Sequence, residues 1–328
     1  MIVVTGAVGF IGSALIWKLN QDGHRDIVAV DNLGRDQRWK NVAKHLFSEI
    51  IPAGNLATWL RQPEIRGQVK GIFHMGACSS TTERDLDFLI ANNLSYSQDL
   101  FRFSVEHDVP FVYASSAATY GNGENGYEDD PARLAELRPT NPYGYSKYLF
   151  DRWVVNQPKH PSIWAGLKFF NVYGPNEYHK GAQASVVWKS YNEIRGTGTI
   201  QLFKSYRTGI AHGEQKRDFV YVKDVAKVAL HFLRSANPAA NGIYNVGTGV
   251  ARSFADLGCA TFAALGISPP RFEWIEMPTD VRDHYQYFTQ ADLRRLRENG
   301  GYHGSFVSLE EGVRDYVTGY LTKSDPYL

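Results

Sequence analysis

Residues Val3–Leu15 read VVTGAVGFIGSAL. The apolar run Met1–Thr5 (MIVVT) has the character of a buried strand, and Phe10–Asn20 carries apolar residues at helical spacing. Between them stand Gly6, Gly9 and Gly12. Each glycine has a mechanical reason: Gly6 for the tight turn, Gly9 for close approach of backbone to a pyrophosphate, Gly12 for packing of helix on strand. The free N–H groups at the helix start then face an anion. Strand, turn and helix in this order predict a dinucleotide site. The spacing G-x-x-G-x-x-G is one residue longer at the front than the commonest pattern.

Outward from this turn, short apolar runs alternate with helical patterns. Strands are predicted at Asp26–Val30, Gly71–His74, Pro110–Ala114 and Ile163–Phe170, with helices over Asp85–Val105 and Tyr143–Val155. Such alternation predicts an α/β fold: a Rossmann-type doubly wound parallel sheet, with ligands at the carboxyl ends of the strands. After Asn171 the loops lengthen, and strand and helix signals return at Phe219–Val222, Val225–Leu233 and Ile243–Val246. The economical division is a dinucleotide-binding domain over residues 1–170, rejoined by a segment of about 217–245. A smaller interleaved α/β substrate lobe takes residues 171–216 and 246–328.

Composition narrows the function classes. The 328 residues carry 35 basic and 34 acidic side chains, a net charge of +1, so no broad nucleic-acid or polybasic membrane surface is expected. Two cysteines, Cys78 and Cys259, make no disulfide framework and lack zinc spacing, so no metal is expected. With no signal peptide and no apolar run of spanning length, a cytoplasmic protein is expected.

Three further features carry chemistry. Asp31 ends the second strand, where a carboxylate accepts from a ribose 2′-hydroxyl and favours NAD. Asn32, Arg35 and Arg38 follow at once, and a guanidinium there suits a 2′-phosphate and NADP. Tyr143 and Lys147 are four apart at a helix start and share a face, whereas Tyr145 points elsewhere. A phenol has a reference pKa of about 10, and an adjacent ammonium favours its phenolate. Tyr143 is therefore a candidate proton acceptor, with Lys147 its tuner and a ribose ligand. The fourth strand ends in Ala114-Ser115-Ser116, where the Ser116 hydroxyl can bond a reacting oxygen.

Glycine turn, strand-end serines and Tyr-x-x-x-Lys in this order resemble the extended short-chain dehydrogenase/reductases, over essentially the whole chain. FHMGACSSTTE (Phe73–Glu83), YASSAATYG (Tyr113–Gly121), NPYGYSKYLFD (Asn141–Asp151), FFNVYGPNEYHKG (Phe169–Gly181), KRDFVYVKDVA (Lys216–Ala226) and YQYFTQADL (Tyr285–Leu293) are similar to the members that epimerise C6″ of an ADP-linked heptose. The resemblance implies an isomerase of lipopolysaccharide core heptose precursor synthesis. It would oxidise C6″ to a transient ketone and reduce it again on the other face. Two acid/base groups are then needed, Tyr143 on one side and Lys180 on the other.

By the same resemblance, Phe10, Ile11, Asp31, Asn32, Arg38, Met75, Gly76, Ala77, Cys78, Ser79, Asn92, Tyr143, Lys147 and Val172 would join the glycines at the cofactor, expected to be NADP with NAD possible. Ser79, Ser116, Asn171, Ala182, Lys189, Phe203, Arg217 and Tyr285 would hold the sugar nucleotide. Arg217 suits a diphosphate on its own chemistry, since a guanidinium donates in a planar fork, and Phe203 could stack on adenine. A homo-oligomer, a pentamer by resemblance, is expected. Met75 stands where an acid is expected near the cofactor's adenine side, Val8 where a small residue is usual, and Ser205–Gln215 reads as an insertion before Arg217.

Two rival activities share the scaffold. A 4,6-dehydratase wants an Asp-Glu pair where this chain has Ala117-Ala118. A UDP-hexose 4-epimerase needs only the tyrosine, leaving Lys180 dispensable. A non-catalytic dinucleotide sensor would not need Ser116, Tyr143 and Lys147 together.

Overall fold

The computed structural model describes residues 1–235, 237–282 and 285–328. Seven parallel strands form the central sheet: β1 (Ile2–Thr5), β2 (Ile27–Val30), β3 (Glu49–Ile51), β4 (Gly71–His74), β5 (Phe111–Ser116), β6 (Trp164–Phe169) and, later in the chain, β10 (Gly242–Val246). Their order is β10-β6-β5-β4-β1-β2-β3. The chain winds one way from β1 to β3 and the other way from β4 onward. Thr5 is paired with Val30 on one side and His74 on the other. The crevice of this doubly wound sheet therefore opens above Thr5 and His74.

Both faces of the sheet are covered, so its strands are apolar along their whole length. Successive residues face opposite ways. Val4 joins a core with Leu15, Ile16, Val225 and Ala229 from the helices Phe10–Gln21 and Val222–Arg234. Val3 joins the opposite core with Leu100, Phe101, Phe150 and Val154 from the helices Tyr96–His107 and Pro142–Val155.

Two small sheets build the remainder. One orders β11 (Ala251–Ser253), β9 (Lys216–Tyr221) and β7 (Asn171–Tyr173); the other pairs β8 (Ile200–Phe203) with β12 (Phe272–Ile275). The returning segment is thus divided: β9 lies in a small sheet, while Val222–Arg234 and β10 belong to the large one. A third core joins Phe10 and Ala14 of the first helix to Tyr173, Phe219, Val313 and Tyr316, so the glycine turn's own helix bolts the two parts together. The helices Phe254–Ala264 and Leu309–Tyr316 begin in capping boxes, Ser253 with Asp256 and Ser308 with Glu311.

One element departs from its sequence pattern. The helix expected over Asp85–Val105 is interrupted at Ile90–Ser95 by a wider π turn. That turn shifts Asn93 inward, with the consequence described below.

Candidate active site

The glycine turn is built as its spacing requires. Gly6 has φ +66°, and a Cβ on it would lie 2.7 Å from the Gly76 Cα. A Cβ on Gly12 would lie 2.1 Å from the Gly6 carbonyl oxygen. Gly9 caps the helix Phe10–Gln21 with no side-chain bond to its first-turn N–H groups. Those amides, of Phe10, Ile11 and Gly12, lie at the positive end of the helix with no side-chain acceptor. Asp31 follows β2, its carboxylate accepting from Val8 N at 3.1 Å and Asn32 N at 2.8 Å. Burial raises its pKa against these bonds. Arg38 is gripped by Asp36 at 2.9 Å, and its Nη2 lies 2.8 Å from where a Cβ on Gly34 would stand. A cradle that excludes Cβ atoms, uncapped amides and an acid after β2 together fit a dinucleotide.

The reacting cluster forms at the ends of β4 and β5. Alternation along β5 sends its two serines to different tasks. Ser115 donates to the buried Asp151 at 2.7 Å, while Ser116 accepts from Ala118 N at 3.1 Å and stands beside the Tyr143 phenol, whose pKa its hydroxyl lowers. The helix Pro142–Val155 starts with Asn141 as cap, accepting from Gly144 N at 2.8 Å, and with Pro142 in its first turn. A Cβ on Gly144 would lie 2.7 Å from Ala118 O, so the helix start sits directly on the segment after Ser116.

Lys147, one turn on, is 3% exposed and donates to Ala114 O at 2.9 Å. Burial lowers its pKa to about 8, opposed by the charges of Asp151 and Cys78. Burial also raises the pKa of Tyr143, opposed by the Ser116 hydroxyl. Tyr145 is exposed, as its place on the helix predicts.

Asn93, next to the Asn92 that the sequence singles out, is fully buried and supports the site from behind. The Asn93 amide clamps Cys78 from both sides, accepting from Cys78 N and donating to Cys78 O, each at 2.9 Å. It also donates to Ser146 Oγ at 3.0 Å, and the half-buried Asn92 donates to Asn93 Oδ1. The π turn puts Asn93 in this position, and no α-helical pattern would signal it. Beneath it runs a buried chain. Gly76 N donates to Thr5 Oγ1, which pairs with His74 Nδ1 at 2.8 Å. His74 Nε2 meets Ser97 Oγ at 2.7 Å, and Ser97 donates to Asn93 O. Burial and the Lys147 charge lower the His74 pKa to about 3, so the ring is neutral.

Lys180 lies on the short helix Tyr178–Gln183, its Nζ 5.2 Å from the centre of the Phe10 ring. Burial lowers its pKa, opposed by Glu177 and assisted by Lys189. Gln183 donates to Ser80 Oγ at 2.9 Å, joining this helix to the segment Met75–Ser80. Lys189 turns back to Ala182 O at 2.6 Å.

A second group gathers on the small sheets. Arg217 is 7% exposed and lies 5.2 Å from the Tyr285 ring centre and 5.6 Å from that of Phe254. Among the described residues no carboxylate pairs with it. A buried guanidinium without a counter-ion is costly unless an anion completes it. Phe203 meets Tyr285 edge-on at 6.3 Å. Gln286 donates to Gly121 O, tying this group to the segment that follows Ser116. Asn171 and Ser79 are exposed and Val172 and Met75 half-buried; Asn171 and Val172 lie in β7, and Met75 and Ser79 follow β4. Among the described residues no group of His, Cys, Asp and Glu could hold a metal.

A sequence model of the NAD-dependent epimerase/dehydratase family matches residues 2–247. The chain belongs to this family. Within it, the chain is 50% identical to a Fusobacterium nucleatum subsp. nucleatum protein named ADP-L-glycero-D-manno-heptose-6-epimerase, over 100% of both chains. A Nitratidesulfovibrio vulgaris relative of the same name is 47% identical, again over 100% of both. The solved Helicobacter pylori ADP-L-glycero-D-manno-heptose-6-epimerase superposes with a TM-score of 0.77 at 26% identity, covering 97% of this chain and 95% of that one. A Thermus thermophilus UDP-glucose 4-epimerase in complex with NAD superposes with a TM-score of 0.72 at 25% identity, covering 95% and 96%. For an NAD-dependent epimerase/dehydratase, the glycine cradle has its ligand: a nicotinamide dinucleotide. No described helix is long and apolar enough to cross a membrane.

Proposed function

We propose that this epimerase inverts C6″ of ADP-D-glycero-D-manno-heptose, giving the L-glycero epimer. The observation that carries the reading is full-length identity of 50% to a relative of that name. The Ser116–Tyr143–Lys147 cluster and the buried Arg217, which no described carboxylate pairs, support it. A bound nicotinamide dinucleotide supplies the hydride acceptor and donor. Ser116 Oγ holds O6″, and the Tyr143 phenolate takes its proton as the C6″–H bond breaks. The Lys147 ammonium favours the phenolate against the burial that raises the Tyr143 pKa. After the ketone turns, the Lys180 ammonium gives a proton to O6″ as the C–H bond re-forms on the opposite face. The cycle ends with Tyr143 protonated and Lys180 neutral, and exchange with water resets both. Arg217 holds the diphosphate, and Phe203 and Tyr285 flank the adenine.

Arg38, poised over Gly34, supports NADP as the cofactor; tenfold or more weaker binding of NAD is the expected comparison. We read residues 1–170 with the returning segment as the cofactor domain and the remainder as the substrate lobe. We also expect a cytoplasmic homo-oligomer, five copies by family likeness, since a charged sugar nucleotide is confined to the compartment that makes it. Sedimentation analysis measures the copy number.

The test is incubation with ADP-D-glycero-D-manno-heptose, following C6″ by NMR. Inversion is expected. No inversion, with turnover of UDP-galactose instead, would overturn the reading. Lys180→Met should abolish turnover while retaining cofactor; near-wild-type turnover would remove the second proton donor from the scheme.

A further inference from the structure

Two asparagines outside the cluster just described lock the Lys180 segment to the glycine turn. Asn41 is 2% exposed and Asn176 fully buried. Asn41 Nδ2 donates to Val8 O at 2.8 Å, inside the glycine turn, and to Asn176 O at 3.1 Å. The same nitrogen lies 3.3 Å from His179 Nδ1. Asn176 Nδ2 answers with bonds to Asn41 O at 3.2 Å and Ser13 Oγ at 3.0 Å, and its Oδ1 accepts from Leu328 N at 3.0 Å. The two side-chain amides thus each bind the other residue's backbone.

Each partner leads to a different part of the site. Asn41 ends the short helix Gln37–Asn41, which Asp36 caps and which carries Arg38. Asn176 has φ +76°, a left-handed turn that starts the run Asn176–Lys180. From there Lys180 N donates to Glu177 O at 2.9 Å. The buried Glu177 carboxylate accepts from Ser185 N and Ser185 Oγ, each at 2.6 Å, and Gly174 N at 3.3 Å. The backbone under Lys180 is therefore held at both ends, and Asn41 is the tie to the turn where Phe10 faces the Lys180 ammonium.

We propose that Asn41 is a positioning residue, which with Asn176 sets the place of Lys180 and the grip of the Arg38 loop on the cofactor's adenosine end through one buried amide clasp. The inference rests on the proton-transfer role given to Lys180 above. It makes cofactor binding and Lys180 placement two readings of one set of bonds, so a ligand that orders the Arg38 segment also orders the proton donor.

The experiment compares Asn41→Ala and Asn176→Gly with the unaltered full chain; glycine accepts the left-handed turn, so the second variant removes only the side chain. Three quantities are read: NADP dissociation by fluorescence, the rate of Lys180 acetylation by acetic anhydride in cofactor-free protein, and kcat against KM. Displacing a reacting group by about 1 Å costs on the order of 100-fold in rate. Accordingly, kcat is expected to fall roughly 10- to 100-fold with KM changed less than about twofold. Lys180 acetylation should quicken about fivefold and NADP binding weaken about tenfold, with Lys147 labelling unchanged.

Wild-type kcat, NADP affinity and Lys180 labelling in folded Asn41→Ala would overturn the clasp. If Asn41→Ala does not fold, the same outcomes in Asn176→Gly decide. Should Lys180→Met prove active, the proton-transfer reading fails on its own, and labelling and NADP affinity still decide the clasp.

Discussion

Asp151 and Lys168 form an ion pair 2.9 Å long with both side chains shut away from water, beside Ser115, the residue before the reacting serine. Tyr113 and Ser115 also donate to Asp151, at 3.0 and 2.7 Å, and Lys168 donates to Thr119 at 2.6 Å. Removing one member leaves the other buried and charged, at a cost of about 3–5 kcal/mol. Lys168→Met is therefore expected to lower stability by that order in urea unfolding. Asp151→Asn with Lys168→Met should recover most of the loss. A single variant within about 0.5 kcal/mol of wild type would show the pair contributes nothing.

Lys147 gives the enzyme an alkaline limit. Burial lowers its pKa to about 8 from an ordinary 10.5. Above about pH 8 the folded protein loses the ammonium, and with it a charge that favours proton loss from Tyr143 against the burial that raises its pKa. The kcat/KM profile of the free enzyme is expected to fall with a midpoint near 8. The effect on stability runs the other way. Between about 8 and 10.5 the unfolded chain holds a proton that the folded one does not, so this group's contribution to stability rises with pH. A rate profile flat to pH 10 would contradict the assignment.

His74 sets an acid limit by a related mechanism. Its folded pKa is lowered to about 3 from 6.5, chiefly by burial. Its contribution to stability is complete above pH 6.5 and is lost as pH falls toward 3, because the unfolded chain takes up the proton first. One such group gives a slope of up to about 1.4 kcal/mol per pH unit. Urea unfolding at pH 6.5 and 5 should differ by up to about 2 kcal/mol from this residue, and His74→Gln should flatten the difference. Equal slopes in the variant would place the acid sensitivity elsewhere.

The legible parts of this chain are those where local chemistry and global fold require the same residues. The glycine turn, β1, β2, β4 to β6 and β10 stand within a residue or two of their sequence patterns, because strands buried on both faces are apolar throughout. Tyr143 and Lys147 meet Ser116 and Ala114 because helical spacing and a strand end place them together. What was hidden depends on packing rather than pattern. β7 and β11 are three residues long and have no periodicity to read. Asn93 reaches Cys78 through a π turn, which no 3.6-residue period announces. Asn41 and Asn176 are 135 positions apart and look like ordinary loop asparagines until both are buried against each other's backbone.

Glycine-to-alanine substitution has opposite expected outcomes at Gly12 and at Gly196. A Cβ on Gly12 would stand 2.1 Å from Gly6 O, a backbone atom that cannot swing away. Gly12→Ala should lose cofactor binding and cost more than about 2 kcal/mol of stability. Gly196, in the helix Val186–Thr197, has nothing within 4 Å of its Cβ direction and an ordinary φ. Gly196→Ala should be neutral, or stabilising by up to about 1 kcal/mol, with cofactor bound as before. Calorimetry with and without NADP measures both.

Arg217 separates substrate recognition from chemistry. Its guanidinium is buried between Tyr285 and Phe254, held by one bond to Lys216 O at 2.8 Å, and burial lowers its pKa. An incoming diphosphate would complete it with charge-assisted bonds in a planar fork. Arg217→Lys keeps the charge and loses the fork, so KM should rise about tenfold while kcat changes little. Arg217→Met loses both, and binding should weaken by about 2–3 kcal/mol, roughly 30- to 150-fold, without altering NADP affinity. The Met variant also removes a buried charge that no described carboxylate compensates, so the ligand-free protein should be no less stable than wild type. Unchanged KM in both variants would move the diphosphate away from β9.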